Sequence, residues 1–182
     1  MFIQHGYSAV TMEAIAEAVP VSKPTLYNHF ADKKSLFEAV MNERCQGFFD
    51  AIDQVIQQGA SVEQSLHTIA QVFLERIFDE DALCMHRLIV AEAINFPELG
   101  KLFYTTGPAR AHAIVTNYLR DLDRQGMLSI ADPDIAAGAF LSMLKGMAHM
   151  QCLFGVKPMI TEVERKQIID NAVGLFIRGY KS

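Results

Sequence analysis

Between residues 19 and 37 the chain reads VPVSKPTLYNHFADKKSLF, and its polar side chains suit hydrogen bonding better than bond making. Thr25 offers a hydroxyl and a methyl, and Asn28 an amide that can pair with an adenine edge. Tyr27 and His29 can reach bases or phosphates. Ser22, with Lys23 beside it, and Thr11 stand at predicted helix starts, where free N–H groups and the helix dipole favour phosphate. Lys33 and Lys34 open the following helix, a position where cations are unfavourable unless anions lie nearby. Chemistry of other kinds lacks its motifs: the sequence has no HExxH, P-loop, dinucleotide fingerprint or nucleophile elbow. The stretch DEDALCMH (79–86) holds possible metal ligands, but acids that open a helix are explained by the dipole. No catalytic residue, metal or cofactor is expected, and the protein is not read as an enzyme.

The elements that must carry these residues are all helical. Thr11 can cap a helix over 12–18, Ser22 one over 23–30, and Asp32 a long one that stops at Gly59. Ser61 and Gln64 form a capping box ahead of a helix with apolar residues at helical spacing. Further helices are predicted at about 81–94, 97–106 and 108–125, the last two separated at Gly107-Pro108. Asp132 with Pro133 starts another, and Thr161 with Glu164 starts the last, which runs to about Tyr180. No segment alternates with strand period, so the fold class is all-α. The segments 11–18 and 23–30, joined by VPV, have the layout of a helix-turn-helix. Ile15, Ala18, Val21, Leu26 and Phe30 would dock the pair on a small core, leaving a short polar helix of ~12 Å for a groove about as wide.

The stretch GYSAVTMEAIAEAVPVSKPTLYNHFADKKSLFEAV (6–40) resembles the DNA-binding signature of the TetR/AcrR family of bacterial transcriptional regulators. Shared features are the Gly-Tyr, the Thr opening the second helix, the IA pair and the pattern VSKxTLYxHFxxKxxLF. RLIVAEAINFPELGKLFYTTGPARA (87–111) resembles the C-terminal domain of AefR-type members. The resemblance implies a homodimer with a ligand-responsive body, operator contacts at Thr25, Tyr27 and His29, and Lys33 on a phosphate. Two residues depart from the family pattern. Pro20 stands where a turn glycine is usual and excludes a left-handed residue there, so the turn must use another geometry. Pro24 falls in the first turn of its helix, where the missing N–H costs little.

Composition sets the remaining expectations. With 16 basic and 21 acidic residues among 182, the net charge is 16 minus 21, or −5, so any anion-binding surface must be local. Three widely spaced cysteines fit reduced thiols in a cytoplasm. The apolar run at 135–156 is interrupted by Lys145 and His149, which argues for a buried helix and against a membrane span. Residues 1–42 are read as the helix-turn-helix domain and 43–182 as the ligand-binding and dimerisation domain. The helices near 134–154 and 162–180 are apolar on more than one side and are expected to pair with their symmetry mates. Phe73, Met85, His86, Phe103, His112, Met143 and Met147 are the candidate lining of a small-molecule pocket. The reading is a ligand-responsive repressor that binds a palindromic operator on double-stranded DNA. A helical binding protein without DNA affinity and a helical enzyme stay open as alternatives. Only MFIQH precedes Gly6, so a first helix of the family's length cannot form. Phe2, Ile15, Leu26, Phe30 and Phe37 are therefore expected to lack apolar partners, the head to be mobile, and the natural chain to begin upstream.

Overall fold

The computed structural model describes residues 1–57 and 60–181, and the regular elements among them are all helices. The head contains α1 (Phe2–His5), α2 (Met12–Ala18) and α3 (Lys23–His29), and α4 (Lys33–Gln57) leads out of it. The body is built from α5 (Val62–Ile77), α6 (Glu80–Glu92), α7 (Pro97–Thr106), α8 (Pro108–Arg124), α9 (Pro133–Leu153) and α10 (Glu162–Tyr180). The helix stop expected at Gly59 lies outside the described residues.

Side chains that satisfy the first free N–H groups fix these starts. Thr11 accepts from the Ala14 N–H, Ser22 from Thr25 and Asp79 from Ala82. Ser61–Gln64 and Thr161–Glu164 both close as reciprocal capping boxes. Asp32 accepts from the Ser35 N–H at 2.7 Å and so opens α4.

α4 joins the two parts. Its buried residues Phe37, Met41, Cys45, Phe49 and Ile52 recur at steps of three or four, one stripe along a helix ~37 Å long. It passes the boundary expected at residue 42 without a break. Beyond that stripe α5, α8, α9 and α10 enclose the main core, where Leu66, Ile69, Leu119, Phe140, Leu144 and Val173 are fully buried.

A second cluster takes residues from both head and body. Phe2, Tyr7, Val10, Phe37 and Met41 pack with Met85, Leu88 and Ile89 of α6 and Leu99 of α7. Phe2 lies 5.2 Å edge-on from Phe37 and 5.6 Å from Tyr7, which also meets Phe96 at 5.4 Å. The shortage of apolar partners expected from the four-residue α1 is thus corrected: α6 and α7 supply the missing surface, and Phe2, Leu26 and Phe37 are buried. A carboxylate reinforces the junction, since Glu92 Oε1 accepts from the N–H groups of Tyr7 at 3.1 Å and Ser8 at 3.2 Å. Gly6 makes that approach possible. Its φ of 81° and ψ of 160° suit only glycine, and a Cβ there would sit 3.1 Å from the same carboxylate oxygen.

Lys33 completes the tie. Its ammonium donates to the carbonyls of Tyr7 at 2.8 Å, Ser8 at 3.3 Å and Val10 at 2.8 Å, and lies 4.4 Å from the Tyr7 ring centre. Three donors meet three acceptors, so the charge that opens α4 is neutralised by main-chain dipoles within the chain. Lys33→Met should therefore cost about 1–3 kcal/mol of stability, because it strands partly buried carbonyls. Urea unfolding checks this, and an unchanged midpoint would mean that the lysine is free for other partners.

Candidate nucleic-acid interface and core cavity

The helix-turn-helix closes around Met12, Ala16 and Leu26, with Ile15, Phe30 and Leu36 packed against them. Ala18 and Val21, expected in that small core, are instead exposed. The turn explains the change. The Val21 N–H donates to the Val19 carbonyl at 2.7 Å, a three-residue turn around Pro20 that is compatible with proline's fixed φ. It swings Val21 outward. Among the described residues only glycines have positive φ, so the turn needs no left-handed residue.

Thr11, Ser22, Lys23, Thr25, Tyr27, Asn28 and His29 are all exposed on this unit. Some are held in place before any partner arrives. The hydroxyls of Ser22 and Thr25 lie 2.8 Å apart, and the Tyr27 hydroxyl donates to Glu13 Oε1 at 3.0 Å, bracing α3 on α2. Glu13's own backbone N–H, then the Tyr27 hydroxyl, hold its carboxyl below the usual range, and the same bond raises Tyr27. The Asn28 side-chain amide forms no hydrogen bond with a described residue. Lys33 departs from the expected phosphate position, because its donors are occupied by carbonyls 7, 8 and 10. Lys34, one residue on, is exposed.

The body contains a cavity of about 120 Å³ between α4, α5, α6, α7, α8 and α9, a size comparable with an engineered apolar cavity that holds a benzene ring. Of the seven side chains expected around such a pocket, Phe73, Met85, His86 and Phe103 line it. His112 does not. Its Nε2 lies 3.1 Å from the Asp134 carbonyl, so it joins α8 to the start of α9. Met143 packs on the main core, and Met147 is 70% exposed. The reason for the last is a break in α9 at Gly146, where φ is 47° and ψ −159°. Burial steps from Leu144 to His149, five residues rather than three or four, which rotates Met147 to the surface and brings Lys145 and His149 to the cavity.

Lys145, His149, Met41, Cys45, Phe48 and Phe49 also line the cavity and were not among the seven side chains expected to line it. For Lys145 and His149 the signal was present: two basic residues four apart in an otherwise apolar run. The rings of His86 and His149 have centres 5.6 Å apart, and Phe78 meets His149 edge-on at 5.6 Å. Burial pushes all three bases down. Lys145 is lowered by desolvation alone, His86 by desolvation and then Lys145, and His149 by desolvation, His86 and Lys145, to about 4. Asp79 and Asp81, once possible metal ligands, serve as the α6 cap and the partner of Arg44.

Residues 64–182 match the AefR-like transcriptional repressor C-terminal domain, and residues 1–40 match the bacterial regulatory proteins of the tetR family. The chain belongs to the TetR family. Its relatives in that family include the HTH-type transcriptional regulator YvkB of Bacillus subtilis, 21% identical over 98% of this chain and 90% of YvkB. The crystal structure of a TetR-family regulator from Mesorhizobium loti superposes with a TM-score of 0.88 at 29% identity, covering 100% of this chain and 91% of that one. The flavonoid-responsive regulator FrrA superposes at 0.82, also at 29% identity, over 99% and 91% of the two chains. The protein is therefore a DNA-binding transcriptional regulator of the TetR family with an AefR-like body. No described helix is long and apolar enough to cross a membrane.

The buried imidazole of this TetR-family body makes its stability sensitive to acid. Above the ordinary value of 6.5, His149 is neutral whether the chain is folded or not. Below it, the unfolded chain binds a proton that the folded chain refuses until about pH 4. Stability is thus fully present above pH 6.5 and is lost as pH falls toward about 4, at ~1.4 kcal/mol per unit and on the order of 3 kcal/mol in all. Unfolding midpoints measured from neutral pH downward should fall less steeply in His149→Leu than in the natural chain. Parallel curves would contradict this.

Proposed function

We propose that this TetR-family regulator is a cytoplasmic, dimeric repressor that holds a palindromic operator and releases it when a small apolar or amphipathic molecule fills the cavity. One observation carries the reading. Met41 and Met85 line the cavity and also belong to the cluster that fastens the head, against which Phe103 packs as well. An occupant that spreads these side chains shifts the seat on which α1, the 6–10 segment and the start of α4 rest. Its preference for the shifted state is what loosens DNA, typically by 1–3 kcal/mol. The AefR-like repressor domain supports the sign of control, and the likeness to FrrA, a flavonoid-responsive regulator, supports a small-molecule signal.

Dimerisation is favoured by apolar surface left on the last two helices and the turn between them. Met147 and Phe154 are each 70% exposed, with Met150 and Leu175 at 47%. A second copy would cover these side chains and place a second α3 ~34 Å away for a two-fold site. On each half-site Thr25, Tyr27, Asn28 and His29 would meet base edges, with Thr11, Ser22 and Lys23 on phosphates. Lys34 would be a phosphate partner in place of Lys33.

Selection of bound sequences from random duplexes tests the proposal. The expected result is a palindromic consensus on which Asn28→Ala costs about 1–3 kcal/mol and relaxes preference at one symmetric pair of positions. Recovery of no consensus, or an equal loss on random DNA, would overturn it.

A further inference from the structure

The cavity's wall is basic. Arg44, Arg76, Lys145, His86 and His149 contribute to it, and no aspartate or glutamate does. The two arginines have partners outside the lining: Arg44 pairs with Asp81, and Arg76 lies 3.9 Å from Asp79. The Lys145 side chain has neither a hydrogen bond nor an ion pair with any described residue, and the His86 and His149 rings form no hydrogen bond with one, although His149 is only 7% exposed. Polar groups withdrawn from water are ordinarily satisfied, and a buried charge left alone is costly. Three bases, two half-buried and one buried, converge on one largely apolar space from two helices and on either side of the Gly146 break, with no side-chain partner among the described residues, and this indicates a site whose counterpart comes from outside the chain.

We infer that the cavity takes an apolar organic acid as its anion, with the acidic group against Lys145, His86 and His149 and the hydrocarbon part against Phe48, Phe73 and Phe103. This rests on the reading of the cavity as the effector site and adds the chemical class. An anion satisfies what the chain leaves open. It supplies an acceptor to the Lys145 ammonium and to the imidazole N–H groups, in a surrounding of low dielectric where such bonds are strong. Its charge also offsets the effect of desolvation on the three bases, since opposite charge favours their protonated forms. A neutral alcohol would accept one of these bonds without cancelling the charge. An amine would add a further cation to three bases. The apolar wall sets the other requirement: a small inorganic anion would leave the aromatic side chains unfilled, and hydrocarbon burial must supply the remaining affinity.

Calorimetry on the full chain with three benzene-sized probes tests the inference: benzoate, benzyl alcohol and benzylamine. Benzoate should bind about tenfold or more tightly than the alcohol, a difference of ~1.4 kcal/mol, and the amine more weakly still. Lys145→Met, which removes an unpaired charge and should not impair folding, is expected to bring benzoate down to the level of the alcohol while leaving the alcohol unchanged. Lys145→Arg should keep the preference for the acid. Equal binding of benzoate and benzyl alcohol, or a Lys145→Met variant that binds benzoate as the natural chain does, would overturn the assignment of charge and leave the cavity as an effector site. Failure of all three probes to bind would overturn both the assignment and the cavity's role.

Discussion

Everything in the head depends on one apolar contact with the body, the cluster that gathers Phe2, Tyr7, Val10 and Phe37 with Leu88, Ile89 and Leu99. The helix-turn-helix core of Met12, Ala16 and Leu26 is small, and small cores bury little surface alone. The first turn of α4 and the last turns of α6 supply the rest. Polar groups then fix the arrangement that the apolar contact stabilises: Glu92 on two N–H groups, Gly6 allowing the carboxylate close, and Lys33 on three carbonyls. The head is seated on the side chains of this cluster, and two of those, Met41 and Met85, also form the wall of the cavity. Flexible methionines at this point can follow a change in cavity contents more readily than branched side chains.

The distribution of charge follows from what is neutralised within the chain and what is left open. Lys33 sits where a helix disfavours a cation, and main-chain oxygens resolve the conflict. Arg44 and Arg76 are resolved by carboxylates from α6 and its cap. Lys23 and His29 on α3, and Lys145, His86 and His149 at the cavity, form no ion pair among the described residues. These are the two places where the proposed partners, an operator and an acidic effector, would act. A net charge of −5 is no obstacle to the first, since binding depends on the local face presented to phosphate.

Local rules made much of this legible in the sequence. Capping residues and helix breakers placed nearly every helix start, because those signals act within four residues of one another. The exposed row from Thr25 to His29 was legible for the same reason, as it follows from which side of α3 carries Leu26. What the sequence hid depends on residues far apart in the chain. That carbonyls of residues 7, 8 and 10 would occupy Lys33 requires the 6–10 segment to fold back on α4. That Ala18 and Val21 would be exposed requires the three-residue turn at Pro20. Met147 was misplaced because a regular helical period was carried through Gly146, where the backbone leaves the helix and the burial pattern slips by one residue. The same slip brings His149 to the cavity, so one backbone feature accounts for both a false member of the pocket and a missed one.

The central claim is that cavity and head share a wall, so that occupancy of one is felt by the other. Its most direct test fills the cavity with protein. Ala111 is 4% exposed, lines the cavity from α8 and packs with Cys45 and Phe49 of α4, the helix that leads out of the head. Ala111→Leu places extra hydrocarbon in the empty space without touching α3, α4 or α6 by substitution. Affinity for the selected operator should fall by about fivefold or more, while helicity and cooperative unfolding persist. A folded Ala111→Leu protein that binds that operator as tightly as the natural chain would contradict the claim.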